Sequence, residues 1–378
     1  MDACARRYGP VFTLTADQVH VRLPELVRHV LRSENEFVLA PTPVTTERTS
    51  IQIDHPDRWK LARRLIWDGV NPASCAAAAP HLAQRWHEHF ARPIRFRDVE
   101  RVMLATAAVQ WPLMLREAAD RPELGRLLVA TIRQRQRSGV RINAWTNFRL
   151  RKMFDKAMAA VLDTIAQRRA QHEKAAIPDV LDALLADESG SLSDIDIAQS
   201  LGVCLDAAMT TTGSAACWTL VALADCDAAT LRELRDPERA DAFVSEVLRH
   251  TPAIEALNRI VATDTMIGDY RVRKGDNVLL DVAALHHDPT LWDQDPQQFC
   301  PARWQSDRPH VPGAYLPFGA GPRFCLGSRI ATVTLTTLVQ TIADGYTVTG
   351  TKPRRCRRDN LNWPDPFRIE ITPRGDRP

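Results

Sequence analysis

The ten residues FGAGPRFCLG, 318 to 327, constrain this chain more than any other stretch. They set Cys325 behind an arginine and among three glycines, directly before a run with helical spacing. Glycine permits turns and close backbone approaches that a side chain forbids. A sulfur placed among such residues implies that something large and flat must come close to the backbone there. Phosphate cradling, the commonest work of a glycine-rich loop, does not fit. A dinucleotide fingerprint needs a third glycine three residues after its second, but Phe324 stands there after Gly319 and Gly321. The Gly-Lys-Ser or Gly-Lys-Thr of an ATP-binding loop is absent as well.

Composition removes other classes. With 378 residues, 45% hydrophobic and 25% charged, the chain can bury a large core and has no bias toward disorder. Its 49 basic and 46 acidic residues leave a net charge of +3, too even a balance for a nucleic-acid surface. The start, MDACARRYGPVFTL, carries no targeting pattern, and no stretch is apolar for the uninterrupted length of a membrane span. The expectation is a cytoplasmic protein with no nucleic-acid or membrane partner. Eight cysteines, at 4, 75, 204, 217, 226, 300, 325 and 356, show neither CxxC pairs nor regular spacing, so no disulfide framework or zinc knuckle is signalled. Cys325 stands out by its neighbours alone.

The apolar pattern is mostly helical. Three- and four-residue spacings run from Pro24 to Arg32, Arg58 to Trp67, Ala76 to Phe90, Asp98 to Leu115 and Glu123 to Gln136. They resume over Asn147 to His172, Asp179 to Ala186 and Asp194 to Ala224, the last nearly free of charge past Asp206 and so expected to be buried on all sides. Strand-like runs are short: VFTLT and VHVRL near the start, then RIVA, YRVRKG and NVLLDV after residue 258. The fold class expected is mainly α with a small β region. No internal repeat, linker or composition break marks a domain boundary.

A thiolate ligand to haem iron suits the opening loop better than phosphate does. Such a ligand needs a tight turn with backbone N–H groups aimed at the sulfur. Phe318, Gly319, Gly321, Arg323, Cys325 and Gly327, with Ala331 four residues on, resemble the haem-loop signature of the cytochrome P450 family, FGxGxRxCxG. The resemblance covers nearly the whole chain, with a somewhat short N-terminal part. It implies a single-body cytochrome P450 fold over 1–378, haem b (iron protoporphyrin IX) between the long helix and the cysteine loop, and Cys325 as the metal ligand.

Further landmarks follow. In SEVLRH, Glu246 and Arg249 sit three apart on one helix face, which by itself describes an ordinary surface ion pair. Upstream of the loop and followed by FCPARW, they resemble the family's ExxR pair, with Arg303 the third member of a structural charge cluster. Trp59 and Arg63 in DRWKLARRLI resemble the family's WxxxR helix, whose side chains reach a haem propionate. Arg259 and Arg323 match two more propionate arginines, and guanidinium forks suit carboxylates. On the long helix, Ala207, Ala208, Met209, Thr210, Thr211 and Thr212 align with the family's small-small-any-acid-Thr-Thr pattern. Small Ala207 lets that helix run close over the porphyrin, and the resemblance gives Thr211 a role in proton delivery. Thr210 stands where the family carries an acid, so proton delivery would pass through Thr210 with water, through Asp206, or through the substrate. Threonines in a buried helix also bond back to the preceding turn, with no other role.

The activity the resemblance implies is a haem-thiolate monooxygenase that takes O2 and electrons from a ferredoxin or flavodoxin and oxidises a small, largely apolar molecule in natural-product biosynthesis. The alternatives are an atypical member that couples, desaturates or uses peroxide, and a non-catalytic haem-binding accessory protein. Lys60, Arg64 and the run RRCRR at 354–358 are candidate docking charges, or solvated surface. Substrate walls are expected between Phe37 and Ile51, from Val203 to Thr211 and from Ala253 to Asn258, with Glu255, Asn258 and Thr42, Thr45 and Thr46 as polar contacts and Glu47 and Arg48 facing water.

Overall fold

The computed structural model describes residues 9–15, 18–39, 51, 55–120, 125, 144–171, 175, 177–306, 310–358 and 361–374. In chain order the described elements begin with strands β1 (Val11–Thr15) and β2 (Gln18–Val21), helix α1 (Pro24–Arg32), β3 (Phe37–Val38), helices α2 (Pro56–Gly69) and α3 (Pro72–His89), and β4 (Ile94–Phe96). Helices α4 (Val99–Gln110), α5 (Ala144–Gln171), α6 (Val180–Leu185), α7 (Asp194–Ala224), α8 (Ala228–Glu233) and α9 (Pro237–His250) follow. Strands β5 (Ala256–Val261), β6 (Thr265–Ile267), β7 (Tyr270–Val272) and β8 (Asn277–Asp281) precede the short α10 (Val282–His286). Helix α11 (Ser328–Gly345) and strands β9 (Tyr346–Gly350), β10 (Arg354–Arg358), β11 (Leu361–Asp365) and β12 (Ile369–Pro373) complete the list.

Helix dominates, as the periodicity predicts, and the ends obey local chemistry. Ser193 and Asp196 form a reciprocal capping box that starts α7, and Asp179 with Asp182 does the same for α6. The helix expected over Asp98 to Leu115 stops as α-helix at Gln110, because Pro112 cannot donate to the ladder and the chain tightens into a 3-10 turn at Trp111–Leu113. The helix expected over Glu123 to Gln136 lies outside the described residues apart from position 125. Strands β4 and β9 to β12 lie outside the strand-like runs expected from the sequence, although YTVT in β9 and IEIT in β12 alternate apolar and polar residues.

The chain divides into two compact units. The first comprises 1–47, 241–325 and 360–362. Its five-stranded sheet runs β1-β2-β8-β5-β3, with β2 and β8 parallel and the other pairs antiparallel. Val21, Val27, Leu31, Phe37, Val261 and Leu280 belong to the apolar core between that sheet and α1. The pairing of β5 with β8 opposes Arg259 to Val278.

The second unit comprises 48–240, 326–359 and 363–378. Helix α7 runs through it, close-packed on α4: a Cβ at Gly213 would lie 2.8 Å from Met103 Cγ, so only glycine lets the two helices meet there. Among the described residues α7 is also the helix long and apolar enough to cross a membrane, but 61% of its apolar window is buried within the protein. Helix α11 packs on α3, whose Trp86 Nε1 donates to the Thr334 carbonyl at 3.2 Å. Strands β4, β12 and β9 form a separate antiparallel sheet in this unit.

Candidate functional site

The cysteine loop belongs to the first unit up to Cys325. Gly319 and Gly321 hold φ of 70° and 72°, a left-handed backbone that side chains rarely adopt. Gly321 is constrained twice, since a Cβ there would sit 2.6 Å from the Leu31 carbonyl oxygen at the end of α1. The Phe324 amide donates to Gly321 at 3.0 Å and the Cys325 amide donates to Phe318 at 3.0 Å, folding the loop back on itself. Cys325 is exposed at its tip, and none of the described cysteines is joined in a disulfide. Gly327 has an ordinary φ of −83° and precedes α11, where its carbonyl accepts from the Ala331 amide at 2.8 Å.

Behind the loop lies a buried charge cluster. Glu246 accepts from Arg249 Nε and Nη2 at 2.9 and 2.8 Å and from Arg303 Nε at 3.1 Å. The Cys300 amide and Trp304 Nε1 donate to the same carboxylate at 2.7 and 3.0 Å. All three charged residues are at most 1% exposed. Burial alone would raise the Glu246 pKa, but hydrogen bonds and charge from Arg249, with the Cys300 amide and Arg303, bring it below the ordinary value. Arg249 Nη1 also donates to the carbonyls of His286 and Pro296 at 2.6 and 2.8 Å. His286 ties this cluster to the loop. Its Nε2 accepts from the Leu316 amide at 2.9 Å, which requires the proton on Nδ1, and Nδ1 donates to the Arg249 carbonyl at 3.0 Å. Burial pushes its pKa down to about 3.

The expected propionate residues divide between the units. In the first, Arg259 is 7% exposed and donates to the neighbouring Asn258 carbonyl at 2.8 Å. Burial and the charge of Arg323 lower its pKa, with Glu34 acting the other way. Arg323 Nε donates to Glu34 Oε1 at 2.6 Å. In the second unit Trp59 and Arg63 stand four apart on α2. Trp59 is 5% exposed, and its indole Nε1 is a buried donor without an acceptor among the described residues.

On α7, Ala207 is exposed and Val203, Thr210 and Thr211 on the same face are half-buried, while Leu205, Met209 and Thr212 are buried. Thr211 Oγ1 donates back to the Ala207 carbonyl at 2.8 Å, and Thr210 Oγ1 to Asp206 and Ala207 at 3.1 and 3.2 Å. Both hydroxyls keep lone pairs to accept with. At the end of α4, Gln110 Nε2 donates to the Ala208 carbonyl at 2.9 Å, its Oε1 buried without a partner among the described residues, and from the following turn Trp111 Nε1 donates to the Leu205 carbonyl at 3.2 Å.

Glu34, His286 and Gln110 bear on these residues and carry no local sequence signal; Glu34 is 289 positions from its partner. Of the candidate substrate walls, 40–50 lie outside the described residues, including Thr42, Thr45, Thr46, Glu47 and Arg48. Glu255 is half-buried, and Asn258 Oδ1 is a buried acceptor without a partner among the described residues. Lys60 pairs with Asp57 on the surface, and Arg354 and Arg355 are exposed on β10.

Comparison with known proteins places this arrangement. The family model for cytochrome P450 matches residues 140–365. The putative cytochrome P450 CYP13A2 of Caenorhabditis elegans is 38% identical over 117 residues, 30% of this chain and 23% of that protein. Cytochrome P450 3A13 of Mus musculus is 30% identical over 211 residues, 49% of this chain and 42% of that one. The chain thus spans less than half the length of these relatives. The putative cytochrome P450 135B1 of Mycobacterium tuberculosis is 27% identical over 378 aligned positions, 90% of this chain and 79% of that protein. Among solved structures, retinoic acid bound cyanobacterial CYP120A1 superposes with a TM-score of 0.79 at 18% identity, over 99% of this chain and 94% of that one, which shows a common fold. With more than half of its length matched by the family model, this chain belongs to the cytochrome P450 family.

Proposed function

We propose that the protein is a haem-thiolate monooxygenase that oxidises a small, largely apolar organic molecule, in natural-product biosynthesis, inside the cytoplasm. The observation that carries the reading is the exposed thiol of Cys325 at the tip of a loop whose glycine conformations admit a flat group against the backbone. The chain's polar groups suit haem b. Among the described residues Trp59 Nε1 has no acceptor and Arg259, a buried cation, donates only to a carbonyl, so both are suited to a propionate carboxylate. Haem, when bound, supplies the activation of O2 with electrons from a redox partner, for which a ferredoxin or flavodoxin is our choice.

The protein's own work is positional. Cys325 would hold the haem iron through its thiolate, Arg63 and Arg323 would join Trp59 and Arg259 as propionate donors, and Phe318, Gly327 and Ala207 would supply surfaces small or flat enough to face the ring. Glu246, Arg249 and Arg303 hold the loop's support rigid. Thr211 can release its bond to Ala207 and pass a proton, with Thr210 and water standing in for the carboxylate that other members carry at that position. That same replacement favours a second reading, a peroxide-driven or coupling enzyme that needs no distal acid. Turnover of a panel of apolar natural products with a ferredoxin–reductase system, against turnover with hydrogen peroxide alone, separates the two. Monooxygenation requires product in the first; product only with peroxide would overturn it.

A further inference from the structure

Resting on the haem-thiolate reading, we propose that Glu34 is a positioning residue for Arg323. It orients the guanidinium and offsets the positive charge of Arg323 and Arg259, and in doing so sets the reduction potential of the haem those arginines would hold.

The placement of Glu34 is built into the packing. It lies two residues past the end of α1, and the last turn of α1 is pressed against the cysteine loop, with the Leu31 carbonyl oxygen 2.6 Å from where a Cβ of Gly321 would be. Only glycine at 321 allows that approach, so the register between Glu34 and Arg323 is fixed by backbone rather than by two mobile side chains. The contact uses Nε of Arg323, at 2.6 Å. Its two terminal nitrogens have no hydrogen-bond partner among the described residues, and these form one edge of the fork that recognises carboxylates. Glu34 therefore holds the guanidinium from the side and leaves its recognition face open.

Charge supports the same reading. Arg259 feels Arg323 as a neighbouring cation and Glu34 as the carboxylate that opposes it, while its own hydrogen bond goes to a neutral carbonyl. Two cations and one carboxylate leave the cluster one negative charge short, and a propionate would supply it. Adding an electron to the ferric iron of the bound haem is opposed by nearby negative charge. Removing the Glu34 charge therefore favours the ferrous form.

The test is a spectroelectrochemical titration of the haem-loaded full chain as wild type, Glu34→Gln, Glu34→Ala and Glu34→Asp, each with its carbon monoxide spectrum. Glu34 is about a third exposed, so its neutral variants are expected to fold. The midpoint potential shifts positive in Glu34→Gln and in Glu34→Ala, returns toward wild type in Glu34→Asp, and the shift shrinks with added salt. Neutral variants that titrate with the wild type, or an Asp variant displaced as far as the Gln variant, would overturn the proposal while leaving the haem reading intact. A wild-type carbon monoxide spectrum without a thiolate signature would remove both.

Discussion

The backbone amide of Cys325 donates to the carbonyl of Phe318 at 3.0 Å, so the candidate iron ligand is held by a loop that closes on itself. That closure depends on Gly321, which combines a φ of 72° with a Cβ position 2.6 Å from Leu31 carbonyl oxygen. Gly321→Ala must strain the backbone and push α1 away. We expect a loss of about 2–4 kcal/mol in stability, in the range of the larger single-residue effects, with a matching drop in haem content. Urea titration and the haem-to-protein absorbance ratio measure both.

Glu246 sits between two buried arginines, and removing it leaves their charges without a counter-ion. Glu246→Ala is predicted to cost about 3–5 kcal/mol, the usual penalty for breaking a buried pair. Asp57→Ala breaks the exposed pair with Lys60 and should change stability by less than about 1 kcal/mol. Parallel urea melts of the two variants compare a buried ion pair with an exposed one in the same chain.

His286 makes stability pH-dependent. Its folded pKa of about 3 lies below the unfolded value of about 6.5, so the unfolded chain takes up a proton first on acidification. Stability from this group is therefore whole above about pH 6.5 and falls steadily toward pH 3. Glu246, also depressed, adds a loss that begins in the ordinary carboxylate range near pH 4 and continues below it. Unfolding midpoints measured from pH 8 to pH 4 should drop below about 6.5, and His286→Gln should flatten that slope from a lower starting stability.

Trp59→Phe separates folding from haem retention. Its indole Nε1 is buried without an acceptor among the described residues, which is costly in the haem-free chain. Phenylalanine removes that donor at the expense of some packing, so the haem-free variant should lose no more than about 1 kcal/mol. If Nε1 meets a propionate as proposed, haem transfer to an apoprotein acceptor should nevertheless run several-fold faster from the variant.

Much of this was legible in the chain, for reasons that differ by residue. The cysteine loop declares itself because glycine conformations and a ligand are specified over ten adjacent positions, and α7 because a run from Asp194 to Ala224 is apolar on nearly every face. Glu246 and Arg249 are visible as a spacing of three, but their burial is not, since it depends on Arg303 and on carbonyls nearly fifty residues away. Glu34, His286 and Gln110 escape entirely: each acts through long-range hydrogen bonds that no local pattern encodes. The helix-ending effect of Pro112 was readable and shortens α4 relative to its apolar periodicity.

The central claim is that Cys325 ligates haem through its thiolate, and the most direct measurement is the absorption spectrum of the dithionite-reduced protein under carbon monoxide, for wild type and Cys325→Ser. The account predicts a strongly red-shifted Soret band in wild type that vanishes in the variant. A histidine-like carbon monoxide spectrum, the same band in both proteins, or no haem at all would contradict it.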